Sequence, residues 1–408
     1  MAGRIPGPPT VASTEIQTAI HLVFVTRSFG NGGAEKHLGD LIERLDPALF
    51  EVTVLTMGLD SFTTRFQSGK GPQVRVASGP TAGTFLATRR HFRALAPDII
   101  VFVNGELGIF HWKVYLAARS SGAGRVVEIE HSTPLPAQTP ASPTRSRRFL
   151  RSVALSISGR LRRATTSRLP GLICDITICV SEASRARLIR DYGYPPKRTI
   201  TRRNGVDLRY FARDGAVWQR PQVLTREMRP VILCVAQLVP IKRIDVLIEA
   251  MRDIVARYPC CACLIVGSGG LEEQLRSRVV QLGLEENVCF SGRIEDVRPF
   301  LAAADVFVLP SEREGLPLSV LEAMAFGLPC VVAEAGGNRE LVEDGINGFV
   351  LPVGSAEALT NALARLLSEE QLRTRMGRAS RRIAEEKFDI EKAMAAVTSS
   401  ILGLALPA

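Results

Sequence analysis

The sequence predicts an α/β protein of two Rossmann-like parallel-sheet domains facing each other across a cleft. Three observations lead there. Continuous apolar runs alternate with helical segments almost throughout, as parallel sheets covered on both faces require. The pattern begins again near residue 230 with the same strand, polar loop, helix opening. Between the two series lies a polar, Pro-bearing stretch from about Asn204 to Arg229. A chain of 408 residues is also long enough for two or three domains at roughly 100–200 residues each.

The elements follow in order. Residues 1–19 carry Pro6, Pro8 and Pro9 without the apolar centre of a signal peptide, and read as a loose leader on a cytoplasmic protein. A buried strand, IHLVFVT, spans 20–26; a glycine-rich loop, 27–33, leads into a helix from about Ala34 to Leu45. Further apolar runs at 51–57, 98–104, 125–131 and 175–181 read as strands, with helices between them. In the second series, strand 229–238 and the loop VPIK precede a helix over 243–258 with apolar residues every three or four positions. Strands follow at 263–270, 287–293, 305–311, 329–337 and 347–352. Open sheets of this kind place ligands outside the carboxyl ends of their strands, so the loops after the strands are where chemistry is expected.

Hydrophobic residues make up 46% and charged residues 23%, an ordinary globular balance with no apolar run long enough to span a bilayer. The net charge of +10 is unevenly placed: residues 1–215 carry 30 Lys+Arg against 16 Asp+Glu, and the remainder 21 against 25. The first half is therefore the one expected to face an anionic surface or acceptor. Arg145, Arg147, Arg148, Arg151, Arg160, Arg162, Arg163 and Arg168 stand in one stretch without an acidic residue, interleaved with Leu150, Val153, Leu155, Ile157 and Leu161. Read as a basic amphipathic helix, this could lie on an anionic membrane at the inner face; the alternative is a solvated surface helix. No aromatic platform accompanies the arginines, which argues against nucleic acid. Of eight cysteines, Cys260 and Cys263 have metal-ligand spacing, but no second pair completes four ligands, so small core residues are the reading taken. The histidines lack H-x-x-x-H spacing and no Asp-x-Asp occurs; no bound metal and no cofactor are expected.

The segment SEREGLPLSVLEAMAFGLPCVV, 311–332, carries the strongest chemical signal. A strand precedes it, and Pro317 suits the first turn of a helix running to about Phe326. Glu314 then lies in the loop before the helix and Glu322 more than one turn inside it. Free backbone N–H groups around Leu316, Leu318 and Ser319 form a diphosphate-sized anion site, and a carboxylate a turn away can accept from ribose hydroxyls.

With Glu314 and Glu322 in E-x7-E spacing, the chain resembles the retaining glycosyltransferase family 4 (glycosyl transferases group 1), whose fold is GT-B. The resemblance runs over about residues 20–400 and includes GGAE (32–35), EH (130–131), NGVD (204–207), KRID (242–245), VGSG (266–269) and GGNRELVEDGINGFV (336–350). It implies a hexosyltransferase-type, metal-independent activity on a nucleoside diphosphate sugar, with a hydroxyl acceptor such as a glycolipid or polysaccharide precursor. It further implies an acceptor domain over 20–205, a nucleotide-sugar domain over 206–385 and a C-terminal helix, 386–408, crossing back to the first domain. Residue by residue, Gly32 and Gly33 would form the loop at the donor diphosphate, and His131 would sit at the reacting sugar. Lys242 would neutralise phosphate. Glu314, with Gly315, would hold the sugar near its anomeric carbon, and Glu322 the ribose. Asn204 and Gly205 would line the cleft near the hinge. Where the family usually has Arg, this sequence has the uncharged Gln237, and Arg243 replaces the Gly that commonly follows the Lys; Arg243 or Arg313 is a candidate to supply the missing charge. Rival readings are a nucleotide-sugar epimerase or phosphorylase of the same fold, and a degenerate protein that binds a nucleotide sugar without transferring it.

Overall fold

In the computed structural model, residues 19–26, 32–56, 71–78, 85–104, 112–132, 168–213, 217–225 and 227–405 are described. Most of the glycine-rich loop and the arginines from Arg145 to Arg163 lie outside them, as does the leader apart from its last residue. The first sheet holds β1 (Ile20–Thr26), β2 (Phe50–Thr56), β3 (Val74–Ser78), β4 (Ile99–Asn104), β5 (Arg125–Glu130), β6 (Ile176–Cys179) and β7 (Thr199–Thr201). Their order is β3-β2-β1-β4-β5-β6-β7. The second holds β8 (Val231–Val235), β9 (Ala262–Val266), β10 (Val288–Gly292), β11 (Val306–Leu309), β12 (Cys330–Ala333) and β13 (Gly348–Leu351), in the order β10-β9-β8-β11-β12-β13. All described pairings within both sheets are parallel.

The apolar runs explain the layering. Along β8, Val231 and Leu233 enter one core cluster and Ile232 and Cys234 the other, because successive side chains point to opposite faces. Helix Leu318–Ala325 covers the first face through Val320, Leu321 and Met324; helix Ile244–Arg257 covers the second through Ile244, Leu247, Ile248, Met251 and Ile254. Cys261 and Cys263 are buried beside β9's neighbours while Cys260 is exposed, so the cysteine pair with metal spacing does not share an environment. Burial pushes the Cys234 and Cys261 thiols up to about 12. β3 and β7, absent from the apolar-run reading, are the two edge strands of the first sheet.

The chain crosses between the domains twice, side by side. Val206 N–H donates to Phe388 O at 2.8 Å, and Ile390 N–H to Val206 O at 3.2 Å. Beyond this crossing, helix Ile390–Ala405 buries Ile390, Met394, Val397 and Ile401 in the core of the first domain, against residues such as Leu38, Leu41 and Ile42. Gly205 sits at the crossing, and a Cβ there would lie 2.6 Å from Ile390 Cα. No helix among the described residues is long and apolar enough to cross a membrane.

Each sheet reverses its direction of strand addition once, between β1 and β4 and between β8 and β11. The crevices at these two points are where ligands of open α/β sheets bind.

Candidate active site

The loops after β8 and β11 meet at the second crevice. Glu312 N–H donates to Ile241 O at 2.9 Å, joining the two loops through their backbones. That bond brings Lys242, on the 3-10 turn Pro240–Lys242, against Glu314: Nζ donates to Oε1 at 2.6 Å. Both side chains are largely buried, 19% exposed for Lys242 and 7% for Glu314. A desolvated pair of this kind holds its geometry because removing either partner strands the other charge.

Helix Leu318–Ala325 begins immediately after, with Pro317 in extended conformation as its cap residue. Leu318, Ser319 and Val320 supply the N–H groups of the first turn, which the side chain of Pro317 does not cap. Leu316 is buried, and its carbonyl accepts from Asn204 Nδ2 at 2.7 Å. Glu322 is buried on this helix and pairs with Lys36, on helix Gly33–Ile42 of the first domain.

The first domain reaches the site through β5 and that helix. His131 follows β5, its N–H donating to Asn104 O at 2.9 Å. Its ring packs edge-on against His37, with centroids 4.6 Å apart. Burial lowers the His37 pKa to about 4 and, with the neighbouring His37, holds His131 well below the usual imidazole range. Both rings are therefore neutral at physiological pH, able to donate or accept but carrying no charge. Glu130, the last residue of β5, is buried; its Oε1 accepts from Ser132 Oγ at 2.8 Å, and burial raises its pKa well above the usual carboxyl value.

The two domains touch where Gly315 meets His131. A Cβ on Gly315 would overlap the His131 carbonyl oxygen, 2.8 Å from its carbon and 3.1 Å from Val180 Cγ2. Gly337 makes a second such approach, with an added Cβ 2.9 Å from Ser181 Cβ and 2.8 Å from Leu316 Cδ1. At Gly33 an added Cβ would meet Leu318 Cδ1 at 3.9 Å, an ordinary contact. Gly32 precedes it as the cap residue of the helix.

Gln237 lies exposed in the loop after β8. Arg243 adopts φ 49° and ψ 43°, the left-handed region that glycine favours, and its guanidinium engages Asp245 at 3.0 Å and Glu312 at 3.9 Å. Its charge is committed to those carboxylates. Glu340, named in the sequence motif but not as a site residue, accepts from Ala183 N–H at 3.0 Å and Arg203 Nε at 2.8 Å. It caps the first-domain helix Glu182–Tyr192 from across the boundary. Lys36 and His37, in contact with Glu322 and His131, are residues of the candidate site that sequence reasoning passed over. Their signal was positional: both stand within one turn of Gly33, on a helix that opens at a predicted crevice.

Known proteins resemble this chain over both domains. The family model for glycosyl transferases group 1 matches residues 218–383, and that for glycosyltransferase family 4 matches residues 31–210. The GDP-mannose-dependent alpha-(1-6)-phosphatidylinositol monomannoside mannosyltransferase of Mycolicibacterium smegmatis is 34% identical over 238 residues, 55% of this chain and 61% of that one. The UDP-Gal:alpha-D-GlcNAc-diphosphoundecaprenol alpha-1,3-galactosyltransferase of Escherichia coli is 32% identical over 201 residues, 48% of this chain and 52% of that one. The chain spans about half the length of the curated relatives it matches. Among solved structures, HepE of Anabaena in complex with UDP and glucose superposes with a TM-score of 0.73 at 21% identity, covering 94% of this chain and 100% of that one. That likeness, with the two parallel sheets, shows the GT-B fold.

Proposed function

The chain belongs to the glycosyl transferases of group 1, family 4, and from that premise we propose that it moves a sugar from a nucleoside diphosphate donor to a hydroxyl acceptor with retention at the anomeric carbon. The observation carrying this is the Lys242–Glu314 pair at the carboxyl ends of β8 and β11, directly beside the Gly315–His131 contact. In this reading the diphosphate lies on Lys242 and the first-turn N–H groups of helix Leu318–Ala325, with Gly32 and Gly33 opposite. Glu322 accepts from the ribose, and Glu314 from the sugar. Lys242 then exchanges part of its contact with Glu314 for phosphate oxygen.

As the bond from the anomeric carbon to the diphosphate breaks, negative charge grows on the leaving oxygen and positive charge on the sugar ring. Preorganised donors meet the first in a site shielded from water. The neutral His131 ring and the carboxylate of Glu314 face the second. The acceptor oxygen bonds to the anomeric carbon from the leaving-group face, and its proton passes to the departing phosphate. Donor-site charge comes from this chain's own groups, with no bound metal in the reading. Gln237 contributes a hydrogen bond where a guanidinium would give a charge-assisted one, about twice as strong.

The acceptor follows from charge. The first half carries the positive excess, including the arginines from Arg145 to Arg168, which suits a lipid-linked or polyanionic saccharide acceptor at the cytoplasmic face of a membrane. Two relatives bear the names of lipid-linked substrates, a phosphatidylinositol monomannoside and a diphosphoundecaprenol saccharide, which supports this class. The test is incubation with labelled uridine, guanosine and adenosine diphosphate sugars and lipid-linked saccharides. An α-linked product from an α-linked donor is expected. Epimerised sugar, phosphate-dependent cleavage, or donor binding without any product would each refute transfer.

A further inference from the structure

Lys36 belongs to the first domain, yet it reaches two groups in the second half of the chain. It donates to Glu322 Oε1, 286 residues away, and stands 4.8 Å from the centroid of the Phe211 ring. Phe211 is itself fixed edge-on against Phe326, the residue that closes the helix bearing Glu322, with centroids 6.3 Å apart. A lysine on an exposed helix face ordinarily extends into water; this one bridges two domains between a carboxylate and an aromatic face. The Glu322 side chain is 9% exposed, so as an anion it needs a compensating cation.

We propose that Lys36 is a positioning residue of the donor site, which holds the Glu322 carboxylate in place and aimed at the ribose, so that ribose recognition is completed only when the first domain is docked. The proposal rests on the reading of Glu322 as the ribose-binding acid. An ionised carboxylate offers about four lone-pair sites on its two oxygens. Lys36 occupies one and leaves the others for ribose hydroxyls. Because the cation is on one domain and the acid on the other, a docked interface and a competent ribose site become one event. Lysine suits this role: its compact charge on a flexible stem releases when the domains part and needs no fixed bidentate geometry.

The experiment measures affinity by calorimetry for uridine and guanosine diphosphates, each beside its 2′-deoxy counterpart, on the wild-type chain, Lys36→Met, Lys36→Arg and Glu322→Gln. The wild type is expected to prefer the ribonucleotide about tenfold or more, the worth of a hydrogen bond to a charged group. Glu322→Gln should abolish most of that preference. Lys36→Met should reduce it to about threefold or less while leaving the deoxynucleotide affinity unchanged, and Lys36→Arg should restore part of it. Preference lost in Glu322→Gln but intact in Lys36→Met overturns the proposal alone. Equal weakening of both nucleotides by Lys36→Met also overturns it, since that marks a charge acting on the diphosphate. No preference in the wild type, or one surviving in Glu322→Gln, overturns the Glu322 reading beneath it.

Discussion

Replacing Gly315 with Ala tests how the two domains are fitted together. The added Cβ would lie 2.8 Å from the His131 carbonyl carbon and 3.1 Å from Val180 Cγ2, and closer still to the carbonyl oxygen. Carbon atoms pack at about 3.5–4.0 Å, so the facing surfaces must separate by roughly 1 Å. The three nearest atoms all belong to the first domain, whereas Gly315 belongs to the second. Relief therefore comes from opening the domains rather than from repacking either core. Overpacking inside a core costs about 1–3 kcal/mol, but a hinge can avoid most of that. Glu314 and the N-terminus of helix Leu318–Ala325 move with Gly315, away from His131. A misplacement of about 1 Å between reacting groups costs on the order of 100-fold in rate. The expected result is kcat/KM down about 100-fold, a melting temperature within a few degrees of wild type, and a larger radius of gyration by small-angle scattering. Gly33→Ala is the control: among the described residues its Cβ meets only Leu318 Cδ1 at 3.9 Å, so the ligand-free domain arrangement should be unchanged. A Gly315→Ala enzyme with wild-type turnover and dimensions would refute the reasoning.

Other outcomes follow from the same contacts. His37 has its folded-state pKa lowered from 6.5 to about 4, so the unfolded chain binds a proton there first as pH falls; stability should drop by up to about 3 kcal/mol between pH 6.5 and 4, and His37→Phe should remove that part of the slope in denaturant titrations. Gly205→Ala places a Cβ 2.6 Å from Ile390 Cα and should destabilise the interdomain crossing by about 1–3 kcal/mol, seen as earlier protease cleavage near residue 205; an unchanged cleavage rate contradicts this. Lys242→Ala removes the ammonium that donates to the buried Glu314 and should weaken nucleoside diphosphate binding at least about tenfold in a fluorescence titration, where wild-type affinity would remove Lys242 from the donor site. Vesicle sedimentation with and without anionic lipid checks the arginine-rich stretch: partitioning that does not depend on anionic lipid discards a membrane role for Arg145 to Arg168.

Much of this architecture could be read from the chain because buried parallel strands write themselves as unbroken apolar runs. β1, β8 and β11 are of that kind, enclosed on both faces. β3 and β7 are edge strands, short and partly polar, and offer no such run. The relation of Glu314 to Glu322 was legible since one loop and one helix carry both. Lys36 and His37 were not, because what they touch is decided by docking: Glu322 is 286 residues from Lys36, and His131 lies on another strand end. Gly33 and Gly315 make the same point. Which glycine a fold cannot replace depends on what stands opposite, and opposite Gly315 stands a backbone carbonyl of the other domain. Arg243 is the converse case, a left-handed position held without glycine and tied down by Asp245 and Glu312.

The most direct measurement is a calorimetric screen of uridine, guanosine and adenosine diphosphate sugars against the wild-type chain, Lys242→Ala and Glu322→Ala. A single preferred base, with binding at least about tenfold weaker in both variants, is the predicted result, because in the proposed reading each residue makes a charge-assisted contact with the donor. Binding of none of the three donors, or equal affinity in wild type and both variants, would contradict the account.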